Sequence, residues 1–162
     1  MLFSKFYFLI SLLLSTFNNE VKTTFPFSFT AKVIAIKDGD SIDILYENKK
    51  ISIRLADIDC PEIRNKQPFG KEAKKYTASL CFGQKVTVQN NNKFDKYKRL
   101  IATIINPQNI NVNKELIIAG LAWHFKKYSK NNEYELLQQT AKANKKGLWK
   151  DATPVAPWEW RK

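Results

Sequence analysis

The chain has 162 residues, 44% of them apolar and 13% aromatic, with 27 Lys and Arg against 15 Asp and Glu and a formal net charge of +12. That length and apolar content fit one domain with a packed core and exclude a disordered polyelectrolyte. The excess positive charge does not decide a fold, but it attracts polyanions, with nucleic acid and anionic membrane surfaces as the obvious partners.

Residues 1–24 read as an address. One lysine, Lys5, precedes the apolar run FYFLISLLLSTF (Phe6 to Phe17). At about 1.5 Å per residue this run is too short to span ~30 Å of hydrocarbon comfortably. It has the character of the central part of a secretory signal. No clean small-x-small cleavage site follows, so an uncleaved N-terminal anchor is the competing reading. The expected location is secreted or periplasmic, with membrane contact only through this segment.

From about Phe27 the pattern becomes that of strands. FTAKVIAIKDGDSIDILY alternates apolar and polar residues around the turn KDGDS, where Gly39 is expected to supply backbone freedom. A second turn, ENKK, leads into ISIRLADI, in which Ile51, Ile53 and Leu55 share one face and Arg54 projects from the other. PFGKEAKKYTASLCFG predicts a helix bounded by Pro68 and Gly83. QKVTVQN and RLIATIIN predict two more strands, separated by a charged loop, NNKFDKYK. A short helix should follow a cap at Asn111 or Asn113 and end near Gly120. A last helix should start at a cap on Asn132 and end at Gly147, with basic residues in its final turn. The tail, residues 151–162, contains Pro154 and Pro157 and is expected to be extended. Three strands, a helix, two strands and two helices predict an α+β chain that is mainly β. The expected architecture is a five-stranded OB-type Greek-key barrel with about three packed helices, over residues 25–150.

The chemistry concentrates in RLADIDCPE, Arg54 to Glu62, where Asp57, Asp59 and Glu62 crowd together in a basic protein. Such crowding is costly unless a metal ion, an arginine or a proton offsets it. The turn after the first strand delivers Asp40 and the end of the third delivers Asp59. Two carboxylates meeting there suit an oxygen-seeking cation, calcium or magnesium. Asp38 and Asp40 also have a plain turn-forming role beside Gly39. Arg54, Glu62 and Arg99 complete a set suited to phosphodiester hydrolysis. Guanidinium groups and a cation offset charge on the phosphorus oxygens, and a carboxylate orients or deprotonates water. Each residue also has an ordinary explanation, an ion pair for Arg54 and a cap for Glu62.

DGDSIDI followed by IRLADIDCPE, FGKEA, DKYKR and GLAW resembles the staphylococcal (thermonuclease-type) nuclease family in order and spacing, from about Thr30 to Trp149. The resemblance implies an OB-type barrel and calcium-dependent cleavage of DNA and RNA, leaving 3′-phosphate and 5′-hydroxyl ends. It implies one calcium ion held by Asp40, Asp59 and the backbone carbonyl of Cys60. By the same resemblance Glu62 is the general base or water-positioning group, and Arg54 and Arg99 hold the phosphate. Lys96 and Tyr97 lie beside a terminal phosphate, and Tyr128 lies under a base. The chain departs from the family at Lys98, where glycine is usual, and at Asp57, where glycine or an apolar residue is usual. It departs again at Lys126, which replaces an aromatic.

Cys60 and Cys81 are expected as free thiols rather than a bridge, although export would permit one. No CxxC or His/Cys cluster suggests zinc. His124 is expected to pack or hydrogen-bond, and the four tryptophans to pack. The reading is an exported, monomeric, calcium-dependent nuclease with no partner protein implied. Its rival is a non-catalytic OB-type nucleic-acid-binding module.

Overall fold

The computed structural model describes residues 24–162. The proposed leader, all but its last residue Thr24, therefore lies outside the described residues, and none of the described helices is long and apolar enough to cross a membrane. Strand β1 (Ser28–Ile36), β2 (Ser41–Tyr46), β3 (Lys49–Leu55), β5 (Lys85–Phe94) and β6 (Leu100–Ile105) close into a barrel in the order β1-β2-β3-β6-β5. Every pairing is antiparallel except β3 with β6. A two-stranded sheet, β4 (Ile58–Asp59) with β7 (Trp123–His124), lies outside the barrel. Helix α1 (Gly70–Cys81) follows the third strand as expected. Helices α2 (Val112–Ile118) and α3 (Asn132–Ala143) follow β6, and a short α4 (Pro157–Trp160) closes the chain.

Alternation explains the barrel. Phe29, Ala31 and Val33 of β1 point inward, and Ile42 and Ile44 of β2 meet Ile53 and Leu55 of β3. Val86, Val88, Leu100 and Ile104 complete a core in which none of these side chains is more than slightly exposed. Each of the larger side chains among them contributes ~1.5–3 kcal/mol of burial free energy, so a register slip that turned them outward would be heavily disfavoured.

Several expectations are corrected. Strand β5 extends through Phe94, so NNKF is not loop; a register irregularity between Asn90 and Phe94 absorbs the polar stretch. The cap of α3 is Asn131, whose side chain accepts from Glu133 N, rather than Asn132. For α2 the cap is Asn111. Asn113 is instead fully buried, accepting from Ile104 N and donating to the carbonyls of Ala56 and Ala102. The tail is not wholly extended. Pro157 starts the single turn of α4 at the position where a missing N–H has no consequence. Gly39 serves closeness rather than an unusual backbone angle. A Cβ there would sit 2.7 Å from the Cβ atoms of Ala73 and Cys60. Cys60 and Cys81 are both free and buried.

Candidate active site

The barrel geometry brings the acidic and basic residues of three separate segments together. Ser41 and Arg54 are directly opposed across β2 and β3. The loop that precedes Ser41 is held by α1, where Thr77 Oγ1 donates to the Gly39 carbonyl at 2.6 Å. Asp40 is thereby fixed and buried. Its Oδ2 accepts from Cys60 N at 2.7 Å, and its carbonyl accepts from Leu55 N. Asp59 is buried on β4, opposite Trp123 of β7.

Arg54 bridges the two acids. One amino group lies 3.1 Å from Asp40 Oδ2 and the other 2.7 Å from Asp59 Oδ1. A further bond to the Leu55 carbonyl sets the guanidinium plane. Burial alone would lower the Arg54 pKa, but Asp40 and Asp59 outweigh it and the net direction is upward, so the group stays charged. Asp59 moves above the ordinary carboxylate value, mainly through burial, with opposing hydrogen bonds from Arg161 and a further upward push from Asp40. Asp38 rises to about 7, first through burial and then through the nearby Asp40 charge.

Arg99 joins the same network. It arrives on the loop between β5 and β6, where Asp95 accepts from Arg99 Nε at 2.7 Å and from its backbone N at 3.0 Å. Burial pushes Asp95 upward, but the bonds from Arg99 prevail and hold it below its usual range. The free end of Arg99 donates to Ser41 Oγ at 2.6 Å, and Ser41 Oγ in turn donates to Asp40 Oδ1 at 3.2 Å. A continuous polar path therefore runs from Arg99 through Ser41 and Asp40 to Arg54 and Asp59. Glu62 stands beside it, half-buried, with its backbone N bonded to Gln67 Oε1.

The peripheral residues are placed less uniformly. Lys96 and Tyr97 are exposed on the Arg99 loop, with the Lys96 ammonium 4.9 Å and the Arg99 guanidinium 5.5 Å from the Tyr97 ring centre. Tyr128 is exposed, against Phe125, with Lys127 over its ring. Lys126 does not face the acids; it pairs with Glu135. His124 is buried between Ser129 Oγ and Glu135 and fastens the segment after β7 to α3.

The sequence reading missed two members. Ser41 is hidden behind the more conspicuous Asp40. Arg161, in the C-terminal tail, places one amino group 2.7 Å from Asp59 Oδ2 and donates from the other to Glu62. The only sequence signal for it is a cation directly after two tryptophans able to seat the tail.

The donors are hard oxygens, which fits calcium or magnesium rather than a thiolate-seeking ion. Among the described residues no three His, Cys, Asp or Glu side chains are arranged to hold a metal by themselves. A cation held here would need Asp40, Asp59, a main-chain carbonyl such as that of Cys60, and water. The Cys60 thiol is no rival ligand, since burial, reinforced by Asp40, lifts its pKa well above normal and keeps it protonated.

Comparison with known proteins bears on the same segments. Residues 52–151 match the family model described as staphylococcal nuclease homologue. The chain belongs to the staphylococcal nuclease family. Among its relatives is an "Uncharacterized endonuclease" of Escherichia coli O157:H7, 38% identical over 130 residues, which are 80% of this chain and 83% of the relative. One of the same description from Haemophilus influenzae is 38% identical over 134 residues, 82% of this chain and 73% of that one. A "Micrococcal nuclease" of Shigella flexneri is 34% identical over 144 residues, 83% and 81% of the two chains. The OB-type barrel agrees with that membership. Two departures from the family now have a conformational meaning. Lys98 has φ 61° and Asp57 has φ 67°, both in the left-handed region where glycine is easiest. Both residues bear on the site, Lys98 immediately before Arg99 and Asp57 through its carbonyl, which accepts from Phe125 N.

Proposed function

We propose that the protein is a nuclease that hydrolyses phosphodiester bonds of DNA and RNA with calcium bound at Asp40, Asp59 and the Cys60 carbonyl. The observation that carries this reading is the Arg54 bridge between two buried carboxylates, joined through Ser41 to Arg99 and flanked by Glu62. A pure binding module gains nothing from acids in a phosphate groove, because they repel the ligand.

When bound, the divalent ion supplies charge neutralisation at the phosphoryl oxygens and lowers the proton affinity of a nearby water. Arg54 and Arg99 bind the non-bridging oxygens of the scissile phosphate and meet the charge that grows there in the five-coordinate transition state. Asp95 and Ser41 hold Arg99 in that pose before substrate arrives. Glu62 accepts the proton of the attacking water as its oxygen bonds to phosphorus. The bond from phosphorus to the 5′ oxygen breaks, and that oxygen takes a proton from solvent. The products are 3′-phosphate and 5′-hydroxyl ends. Lys96, Tyr97 and Tyr128 are exposed and suited to phosphate contact and base stacking along an irregular single strand.

The net charge of +12 supports salt-sensitive collection of polyanions on this surface. Export is proposed from the apolar run Phe6 to Phe17, and the enzyme is proposed to act as a monomer. The test is digestion of single-stranded DNA and RNA by purified protein in calcium, magnesium or chelator, with analysis of the product ends. Cleavage that needs calcium and leaves 3′-phosphates supports the reading; chelator-resistant cleavage or 5′-phosphate ends would overturn its metal or bond assignment.

A further inference from the structure

The C-terminal tail returns across the molecule to the acids. Gln67 Nε2 donates to the Val155 carbonyl, and Pro157 is buried. The Trp158 ring stacks on Phe125, with centres 5.2 Å apart and planes within 6°, and meets Trp123 edge-on at 5.7 Å. Trp160 Nε1 donates to the Asn65 carbonyl. Trp123, which helps seat the tail, is the cross-strand partner of Asp59. The seat and the acid therefore share one small sheet, and the docked tail delivers Arg161 to Asp59.

At its destination Arg161 makes a two-pronged contact with Asp59: one amino group lies 2.7 Å from Oδ2, and the other lies 3.3 Å from Oδ1 and also donates to Glu62 Oε1. Glu62 sits on a partly exposed stretch after Pro61, and among the described residues no other hydrogen bond or ion pair restrains its carboxylate. A guanidinium is planar and presents its donors at fixed angles, so one group bound to two carboxylates fixes their relative orientation. Both of its amino groups are engaged by carboxylates, so its route to the reaction is the Glu62 carboxylate it holds.

We propose that Arg161 is a positioning residue of the nuclease site, holding the Glu62 carboxylate in a fixed orientation beside Asp59. The proposal rests on the nuclease reading given above. An ion pair that merely fastens the C-terminus is the simpler alternative, but the fastening is already supplied by Gln67, Phe125, Trp123 and Asn65, all before the chain reaches Arg161.

The experiment compares wild type, Arg161→Ala, Arg161→Lys and Trp160→Phe in calcium-supported digestion of an oligonucleotide, alongside thermal melts and calcium binding by calorimetry. A loose general base is expected to lower kcat by ~10–100-fold in Arg161→Ala, with KM changed less than about threefold. Arg161→Lys, a cation without the planar fork, should fall between the two. Millimolar guanidinium should restore part of the lost kcat in Arg161→Ala, where equal sodium chloride does not. Calcium should bind Arg161→Ala several-fold more tightly, because one positive charge beside Asp59 is gone. Trp160→Phe removes one tail bond but leaves Arg161, so its kcat should stay within about twofold of wild type.

The proposal is overturned by an unchanged kcat in Arg161→Ala, by a loss confined to KM, by guanidinium that fails to rescue, or by unchanged calcium affinity. It is equally overturned if Trp160→Phe and Arg161→Ala lose activity in proportion to their lost stability, which is the fastening result. If Arg161→Ala melts below the assay temperature, Arg161→Lys is read by the same kcat comparison at a temperature where it is folded. Wild type that cleaves nothing would sink the nuclease reading itself, a separate result.

Discussion

Replacing Arg54 by alanine probes the electrostatics of the site without touching its acids. Arg54 is only 13% exposed and lies within 3.1 Å of Asp40 and 2.7 Å of Asp59, both themselves buried. Removing it leaves two carboxylates facing one another with one compensating charge, Arg161, which of the two reaches Asp59 and is shared with Glu62. Breaking a buried ion pair in this way typically destabilises by ~3–5 kcal/mol. In a domain of this size that corresponds to a melting temperature lower by roughly 10 °C. The deficit should be largest at neutral pH. Asp59, whose pKa already stands above the ordinary carboxylate value, loses the lowering influence of Arg54, and its protonation at lower pH removes the repulsion, so the gap to wild type narrows as pH falls. A divalent cation should narrow it as well, since it restores positive charge at the same oxygens. The assay is a set of melts of Arg54→Ala and wild type in chelator and in calcium, between neutral and mildly acidic pH. Calcium should raise the melting temperature of the variant more than that of wild type. An Arg54→Ala protein as stable as wild type in chelator, or one that gains no more from calcium, would show that these carboxylates do not share a common cation site.

Three further outcomes follow from named geometry. Lys98→Gly should raise the melting temperature by a few degrees, since a non-glycine residue at φ 61° carries ~1–2 kcal/mol of strain against the smaller entropic penalty of glycine; a lower melting temperature would contradict it. Gly39→Ala should destabilise by ~1–3 kcal/mol and reduce cleavage further than its stability loss explains, because the new Cβ sits 2.7 Å from Cys60 and Ala73 and displaces the loop carrying Asp40. Melts and turnover measured on the same preparation check both effects. Glu135, drawn down from 4.5 to about 2 first by its bond from Lys126, against burial, and then by Gln139 and His124, gives a pH test away from the site. Its folded pKa is depressed, so the contribution is present above about pH 4.5 and is lost as pH falls toward 2. Glu135→Gln should therefore melt lower at neutral pH, by ~1 kcal/mol after allowing for solvent screening, with the gap closing in acid.

What was legible in the chain was what local pattern encodes. The period-two apolar residues Ile42, Ile44, Ile53 and Leu55 mark the barrel strands, and the turn residues between them set a meander that puts Ser41 opposite Arg54. The end of β5 was not legible, because NNKF has no alternation and is held by distant partners, Phe94 opposite Leu100 of β6 and Asn92 on the Phe25 backbone, rather than by its own burial. A two-residue strand such as Ile58–Asp59 has too few residues to show a period, yet it orients Asp59. Arg161 was illegible for another reason. Its partners lie about a hundred residues away, and the link is made by Trp158 and Trp160 docking on a surface that exists only after folding. Lys98 and Asp57 stood out as departures from a family pattern, but their positive φ values required coordinates.

The central claim, that this acidic and basic cluster hydrolyses a phosphodiester rather than only binding it, is met most directly by a single-turnover measurement. Wild type, Asp40→Ala and Glu62→Gln are each mixed in calcium with an oligonucleotide carrying one labelled linkage, and bound and cleaved fractions are followed together. Wild type should bind and cleave, while Glu62→Gln should bind comparably and cleave at least ~100-fold more slowly, with Asp40→Ala similarly impaired. Binding by all three proteins with no cleavage by wild type, or undiminished cleavage by Glu62→Gln, would contradict it.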